Sequence, residues 1–541
     1  MREYRELLFD TATRFGFEQF VLEAAMRVPG IEPYDVRQFV DRGLREFDDS
    51  PGSNGVVIIP LFPGFVPNML ILCTIAHAFR TRGYSVILIG CDDEIPVCSR
   101  SRDNDGAENS TRAFCQFSSQ QVSSAFGFER CSISDFLPIE YAPDLPEVGP
   151  ETSLTEPIEY GGVDIGQLSL SSVRKYFHAY NIDPEEERVR EVYREYLRTA
   201  AKLADATKSV IDEEDVVAVI AFDDNYVYGG TPLRVAAGQG IPSYSVDVGY
   251  MNRSLLFGNQ TNRNSLPLFT DSSTLEDVLA EPLSRTARQE VSKLIEKRAR
   301  GEAGRYLYSP QTDLSVDSTD GRRLVAMFTN LSWDASLDVY DTPFSDMFHW
   351  IRTTIDLLGG RGDVELVVRT HPAEAARGTN EAVAEWIDSN LGECPPNVTV
   401  LEADSDVNTY ELLSKIDFCI VYASIVGLES ILRGIPTVVG GDTHYRNLGI
   451  THDPATDAEY IDILENMSEL SVSDRSLTRA ERYAYFFFFR KHIEFPFFEE
   501  NAEHEELPFN QITHERIKPG NRNFDHLVEQ VINNEPVFTT D

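Results

Sequence analysis

The run Leu366-Val367-Val368-Arg369-Thr370-His371-Pro372-Ala373-Glu374 holds side chains suited to meeting an anion. A strand would carry Arg369 and His371 to its carboxyl end. Pro372 biases His371 away from helical angles and so presents the imidazole at the sheet edge. An imidazole there donates to a phosphate oxygen or acts as an acid; the plain alternative is a ring that satisfies a loop carbonyl. Further on, Asp417–Glu429 repeats the geometry. A strand ends at Tyr422, and Ser424 stands where a helix N-cap is expected, with free backbone N–H groups and the helix dipole behind it. Gly427 lets a ligand approach closely, and Glu429 is placed to accept from ribose hydroxyls. The alternative is that Ser424 only caps and Glu429 is solvated. The following loop, Gly440 to Arg446, brings Gly441 and Arg446 toward the same anion.

Carboxylates able to deprotonate a hydroxyl are harder to single out. Asp223 and Asp224, in Phe222-Asp223-Asp224-Asn225, follow a strand. Asp334 follows Trp333 in a second such position. Each also has a bland use, as a cap, a solvated group or a loop organiser.

The elements that must position these residues alternate strand and helix. The pattern predicts a helix over 3–27, a strand over 56–61, a Gly/Pro loop, a helix over 68–82 and a strand over 85–90. A long charged helix is expected over 184–211, a strand over 216–222, a helix over 230–239 and a strand over 241–246. The polar stretches 99–124 and 140–165 read as excursions, and 300–320 as a hinge. A second series follows, with strands at 324–328, 364–369, 397–401, 417–422 and 435–439 and helices between them. Continuous Val/Ile runs are those of parallel strands covered on both faces. The expected fold class is therefore α/β, with two Rossmann-like doubly wound domains facing a cleft and ligands at the carboxyl ends of the strands. The boundaries are 1–305 for the N-terminal domain, 320–480 for the C-terminal domain, and 481–541 for an aromatic segment packing back across both.

Composition narrows the partners. Of 541 residues, 48 are Lys or Arg and 88 are Asp or Glu, a net charge of −40. That excludes a broad nucleic-acid interface, which needs a basic face. Eight of the basic residues are Lys, and few lysines among many acids resemble a protein of a salt-loving organism. The seven cysteines form no CxxC pair, so neither a zinc ribbon nor a disulfide framework is expected, and no metal is assigned. No apolar run approaches the ~18 residues of a membrane span, and no signal peptide is read at Met1. A cytoplasmic location is expected. Residues 483–498 hold nine aromatics in sixteen positions. A buried helix between domains is the favoured reading, and a peripheral patch on the cytoplasmic membrane face the alternative.

Taken in order, Arg369-Thr370-His371-Pro372-Ala373-Glu374, Ser424 with Gly427-Leu428-Glu429, Gly434-Ile435-Pro436 and Gly441 through Tyr445-Arg446 resemble the capsule-polysaccharide biosynthesis proteins. Asn330-Leu331-Ser332-Trp333-Asp334-Ala335 and Tyr483–Arg490 extend the likeness. The resemblance implies the two-Rossmann GT-B glycosyltransferase fold and a nucleotide-activated sugar bound by the C-terminal half, with His371 and Ser424 on the donor phosphates. It implies no cofactor beyond that substrate and a glycan or lipid-linked acceptor; Gly64 and Asn68, at the Gly/Pro loop after the first strand, are the candidates for the acceptor side. The product would be a cell-surface glycan, either the N-glycan of a surface-layer glycoprotein or an extracellular polysaccharide. A transferase that retains configuration needs no carboxylate base. Two other readings stay open: a sugar-nucleotide epimerase of the same fold, and a non-catalytic component of a glycan pathway.

Overall fold

The structure is a computed structural model that describes residues 36–45, 52–62, 65–91, 94–97, 108–260, 270–300, 302–303, 321–337, 342–499 and 509–539. The helix expected over 3–27 and most of the hinge lie outside the described residues. In chain order the strands are β1 (Val56–Pro60), β2 (Ser85–Gly90), β3 (Arg130–Ser132), β4 (Glu159–Tyr160), β5 (Val163–Asp164), β6 (Val216–Phe222) and β7 (Ser243–Val248). They continue as β8 (Ser254–Asn259), β9 (Arg323–Phe328), β10 (Val364–Arg369), β11 (Val398–Leu401), β12 (Phe418–Val421), β13 (Thr437–Val439) and β14 (Ile493–Glu494). Two sheets result, in the orders β14-β8-β7-β6-β1-β2-β3 and β11-β10-β9-β12-β13. β4 and β5 form a separate hairpin.

The second sheet is parallel throughout. The first is parallel from β7 to β3 and antiparallel at its β7–β8–β14 edge. Alternation of side chains explains why the strand sequences are apolar without a break. Val57 and Ile59 enter one core and Ile58 the other, as do Ala218 and Ile220 against Val219 and Ala221. In the second sheet Leu324, Ala326 and Phe328 face one layer, while Val325 and Met327 face the other. Helix Val66–Arg80 covers one face of the first sheet. Helices Ile165–Phe177, Glu187–Glu213 and Val227–Gly238 cover the opposite face.

Three features depart from the sequence reading. Much of 99–124, read as an excursion, is the helix Glu108–Ala125. Helices Ser272–Ala280 and Arg285–Ala299, placed in the first half, bury Leu275, Leu279, Val291 and Leu294 in the core of the second sheet. The second packing unit thus gains elements that precede residue 305. The aromatic segment serves both sheets. Helix Asp474–Tyr485 runs into a π-helical turn, Phe486–Arg490, whose Phe486, Phe487 and Phe488 lie in the second core. The chain then adds β14 to the first sheet, with Phe495, Phe497 and Phe498 in the first core. These rings are interior groups and do not form a surface patch. No helix among the described residues is long and apolar enough to cross a membrane.

Candidate active site

The ends of β6, β7, β9, β10, β12 and β13 converge on one cavity of about 460 Å³, within the range of small-molecule sites. Its wall includes Asp223, Asp224, Asp334, Arg369, His371 and Ser424. It also includes Lys175, Asp247, Arg298 and His444, which the sequence reading passed over.

His371 sits just past β10. The Ala373 N–H donates to its Nδ1 at 3.1 Å, so the neutral ring carries its hydrogen on Nε2. Burial lowers its pKa to about 4. The ring is thus a neutral donor at physiological pH. Arg369, 2% exposed, donates instead to the carbonyls of Glu402 and Ser405. It lines the cavity while its terminal nitrogens brace the loop after β11.

Ser424 lies two residues ahead of a helix of six residues, Val426–Ile431. Its Oγ accepts from the Val426 N–H at 3.3 Å, which leaves the hydroxyl hydrogen to donate. So short a helix contributes little dipole, and the anion role rests on the hydroxyl and the turn. The Ala423 N–H is fixed by Asn330 Oδ1 at 3.1 Å, so the end of β9 helps shape this turn.

Four donor-side expectations need correction. Glu429 is fully buried and pairs with Arg298 at 2.6 Å, away from the cavity wall. It is neither a ribose acceptor nor a solvated residue, because it compensates a buried guanidinium. Gly427 is packed under Tyr445: a Cβ there would lie 2.3 Å from the phenol oxygen. Gly441 lies against the Tyr422 ring. Arg446 donates to the carbonyls of Gly441 and Pro454 and braces its own loop. On the proposed acceptor side, Asn68 is half-buried in the first turn of Val66–Arg80 and does not line the cavity. Gly64 lies outside the described residues.

The carboxylates differ in their surroundings. Asp223 has a left-handed backbone (φ 60°) and meets Lys175 Nζ at 3.4 Å; that ammonium also lies over the Tyr226 ring. Asp224 is buried and accepts from Gln260 Nε2 at 2.7 Å, and burial raises its pKa to about 6. Asp247, near the end of β7, exposes its carboxylate toward the cavity within an enclosing protein wall. Its Oδ1 accepts from the Val248 N–H at 2.7 Å. Burial, with Asp223, Asp224 and Asp334 nearby, raises its pKa to about 7. Among the described residues no group of three His, Cys, Asp or Glu is arranged to hold a metal ion.

Residues 360–486 match the capsule polysaccharide biosynthesis protein family. That span contains His371, Ser424 and the loop to Arg446, so the match covers the part of the cavity wall formed by His371 and Ser424. Among solved structures the chain is similar to the KpsC beta Kdo 2,4 transferase of Thermosulfurimonas dismutans, at 16% identity and TM-score 0.35, over 59% of this chain and 88% of that one. It is also similar to the UDP-GlcNAc 2-epimerase of Methanocaldococcus jannaschii, at 11% identity and TM-score 0.28, over 79% of this chain and 97% of that one. A search of curated protein sequences finds no match.

Proposed function

We propose that this chain is a glycosyltransferase of cell-surface glycan synthesis, moving a sugar from a nucleotide-activated donor to a glycan or lipid-linked acceptor. The observation that carries the reading is the presence, on the wall of one cavity, of a neutral His371 with hydrogen on Nε2 and several carboxylates. A leaving nucleotide phosphate gains negative charge as the glycosidic bond breaks. Donors already oriented toward it stabilise that charge at little reorganisation cost. His371 Nε2–H and the Ser424 hydroxyl supply such donors. In the same cavity Asp247 accepts the acceptor hydroxyl's proton, since its carboxylate lines the wall with a pKa raised toward neutrality. Asp223, Asp224 and Asp334 shape its field. The family match supports a surface glycan as the product.

The test is a panel of nucleotide sugars with and without glycan acceptors, run on the wild type and His371→Ala. Acceptor-dependent nucleotide release that His371→Ala lowers at least about tenfold is expected, the scale of one hydrogen bond to a charged group. Turnover of the sugar nucleotide without acceptor would replace this reading with an epimerase. Binding without turnover would make the chain a non-catalytic component.

A further inference from the structure

The Ser424 turn is locked from beneath by a side chain that does not reach the cavity. Tyr445 is fully buried and absent from the cavity wall. Its hydroxyl donates to the Ser424 carbonyl at 2.5 Å, and the same oxygen accepts from the Gly427 N–H at 3.2 Å. The phenol reaches this carbonyl through space that a side chain at 427 would fill. A Cβ on Gly427 would stand 2.3 Å from the phenol oxygen, 2.9 Å from Val421 Cγ2 and 3.1 Å from the phenol Cζ. Gly427 is not among the residues with positive φ, so space and not backbone angle accounts for the glycine. The loop that delivers Tyr445 is itself in register with the end of β12, through Gly440 N to Val421 O at 2.8 Å and Gly441 N to Tyr422 O at 3.0 Å. Its neighbour His444 forms part of the cavity wall and stacks on Phe487 at 4.4 Å.

We propose that Tyr445 is a positioning residue of the anion site, holding the Ser424 hydroxyl toward the donor phosphate through the Ser424 carbonyl, with Gly427 making the room it needs. The inference rests on the donor-phosphate reading of Ser424. Nothing reactive is asked of the phenol. Its hydrogen bond fixes a short turn that has only a six-residue helix behind it and so little rigidity of its own. Asn330 holds the same turn from the β9 side, at the Ala423 N–H. Tyr445 completes the clamp from the β13 side.

The test compares the full-length wild type with Tyr445→Phe, Gly427→Ala and the double variant. Three readouts are taken: melting temperature, hydrogen exchange in peptides spanning 422–429, and calorimetric titration with inorganic pyrophosphate. Tyr445→Phe keeps the ring, so its melting temperature should stay near the wild-type value. Its exchange in 422–429 should quicken about fivefold, and pyrophosphate should bind about fivefold more weakly, the scale of one neutral hydrogen bond. Gly427→Ala should impair both readouts. The double variant should recover part of the loss, because removing the hydroxyl removes the atom nearest the new Cβ. Wild-type exchange in Tyr445→Phe overturns the proposal. So does unchanged pyrophosphate affinity where the wild type binds it, and so does a double variant no better than Gly427→Ala. Failure of the donor-phosphate reading looks different: the wild type does not bind pyrophosphate, or His371→Ala binds it equally well. In that case the positioning of the turn is decided by the exchange and rescue results alone.

Discussion

Burial acts on Asp247 and His371 in the same sense, disfavouring the charged form of each, and so pushes the carboxyl up to about 7 and the imidazole down to about 4. Between those values His371 is a neutral donor and Asp247 is largely protonated. Turnover should therefore rise with pH through about 7 as Asp247 ionises, with no loss from imidazole titration above about 4. The same shift has a stability consequence of definite sign. A carboxyl whose folded pKa is raised binds more protons in the native state than in the unfolded one, so stability falls as pH rises through the window up to about 7. Asp247→Asn should remove turnover yet raise the melting temperature above pH 7, where the wild type carries a charge that Asp223, Asp224 and Asp334 repel. A variant that loses turnover with no gain in melting temperature would place Asp247 outside this scheme. Glu429 gives the opposite outcome. Its carboxylate compensates a guanidinium that is 2% exposed, so Glu429→Gln leaves Arg298 uncompensated. The expected cost is about 3–5 kcal/mol in denaturant unfolding, where a ribose-binding role would have affected donor affinity alone.

At the scale of elements, the strands that carry the site were legible because burial on both faces writes itself as unbroken apolar runs. Val216–Phe222, Arg323–Phe328, Val364–Arg369 and Phe418–Val421 all fall where such runs occur. Segments whose stabilising contacts are distant in sequence were not legible. The helix Glu108–Ala125 is mostly polar, and its sequence carries no apolar run to mark it. Asp247 was missed although it directly follows the strand expected over 241–246, because a single acid there stands in no motif that marks it. Glu429 and Arg446 were misassigned because a charged residue beside a motif looks available until its buried partner is known. In the segment 483–498, composition alone showed aromatic density, and only the structure shows the rings divided between two cores. Phe487→Ala should cost about 3–5 kcal/mol in denaturant unfolding, as for other buried Phe truncations. It should also weaken pyrophosphate binding, because His444 loses the ring it stacks on at 4.4 Å. Equal loss of stability without any effect on binding would separate the aromatic core from the cavity wall.

Across the whole molecule, the two sheets are joined by polar contacts beside the cavity as well as by the aromatic segment. Glu381 accepts from the backbone N–H groups of Tyr180 and Asn181 at 2.9 and 3.0 Å, and the His178 ring stacks on Trp333 at 4.2 Å. These contacts form against a net charge of −40, which repels itself throughout the molecule. The described ion pairs offset it only locally, and many of their side chains are partly exposed, where each pair contributes little. Dissolved cations are the remaining source of compensation. Screening lengths fall to about 10 Å near 0.1 M salt and about 3 Å near 1 M. The melting temperature should therefore rise steadily from low salt to molar potassium chloride. The gain should exceed that of a variant in which several exposed acids, such as Glu187, Asp212 and Glu302, are replaced by their amides. Potassium chloride and sodium chloride should act alike if screening is the cause. A melting temperature flat across that range would show that the excess acids are already compensated within the fold, and that the acidic composition places no salt requirement on its stability.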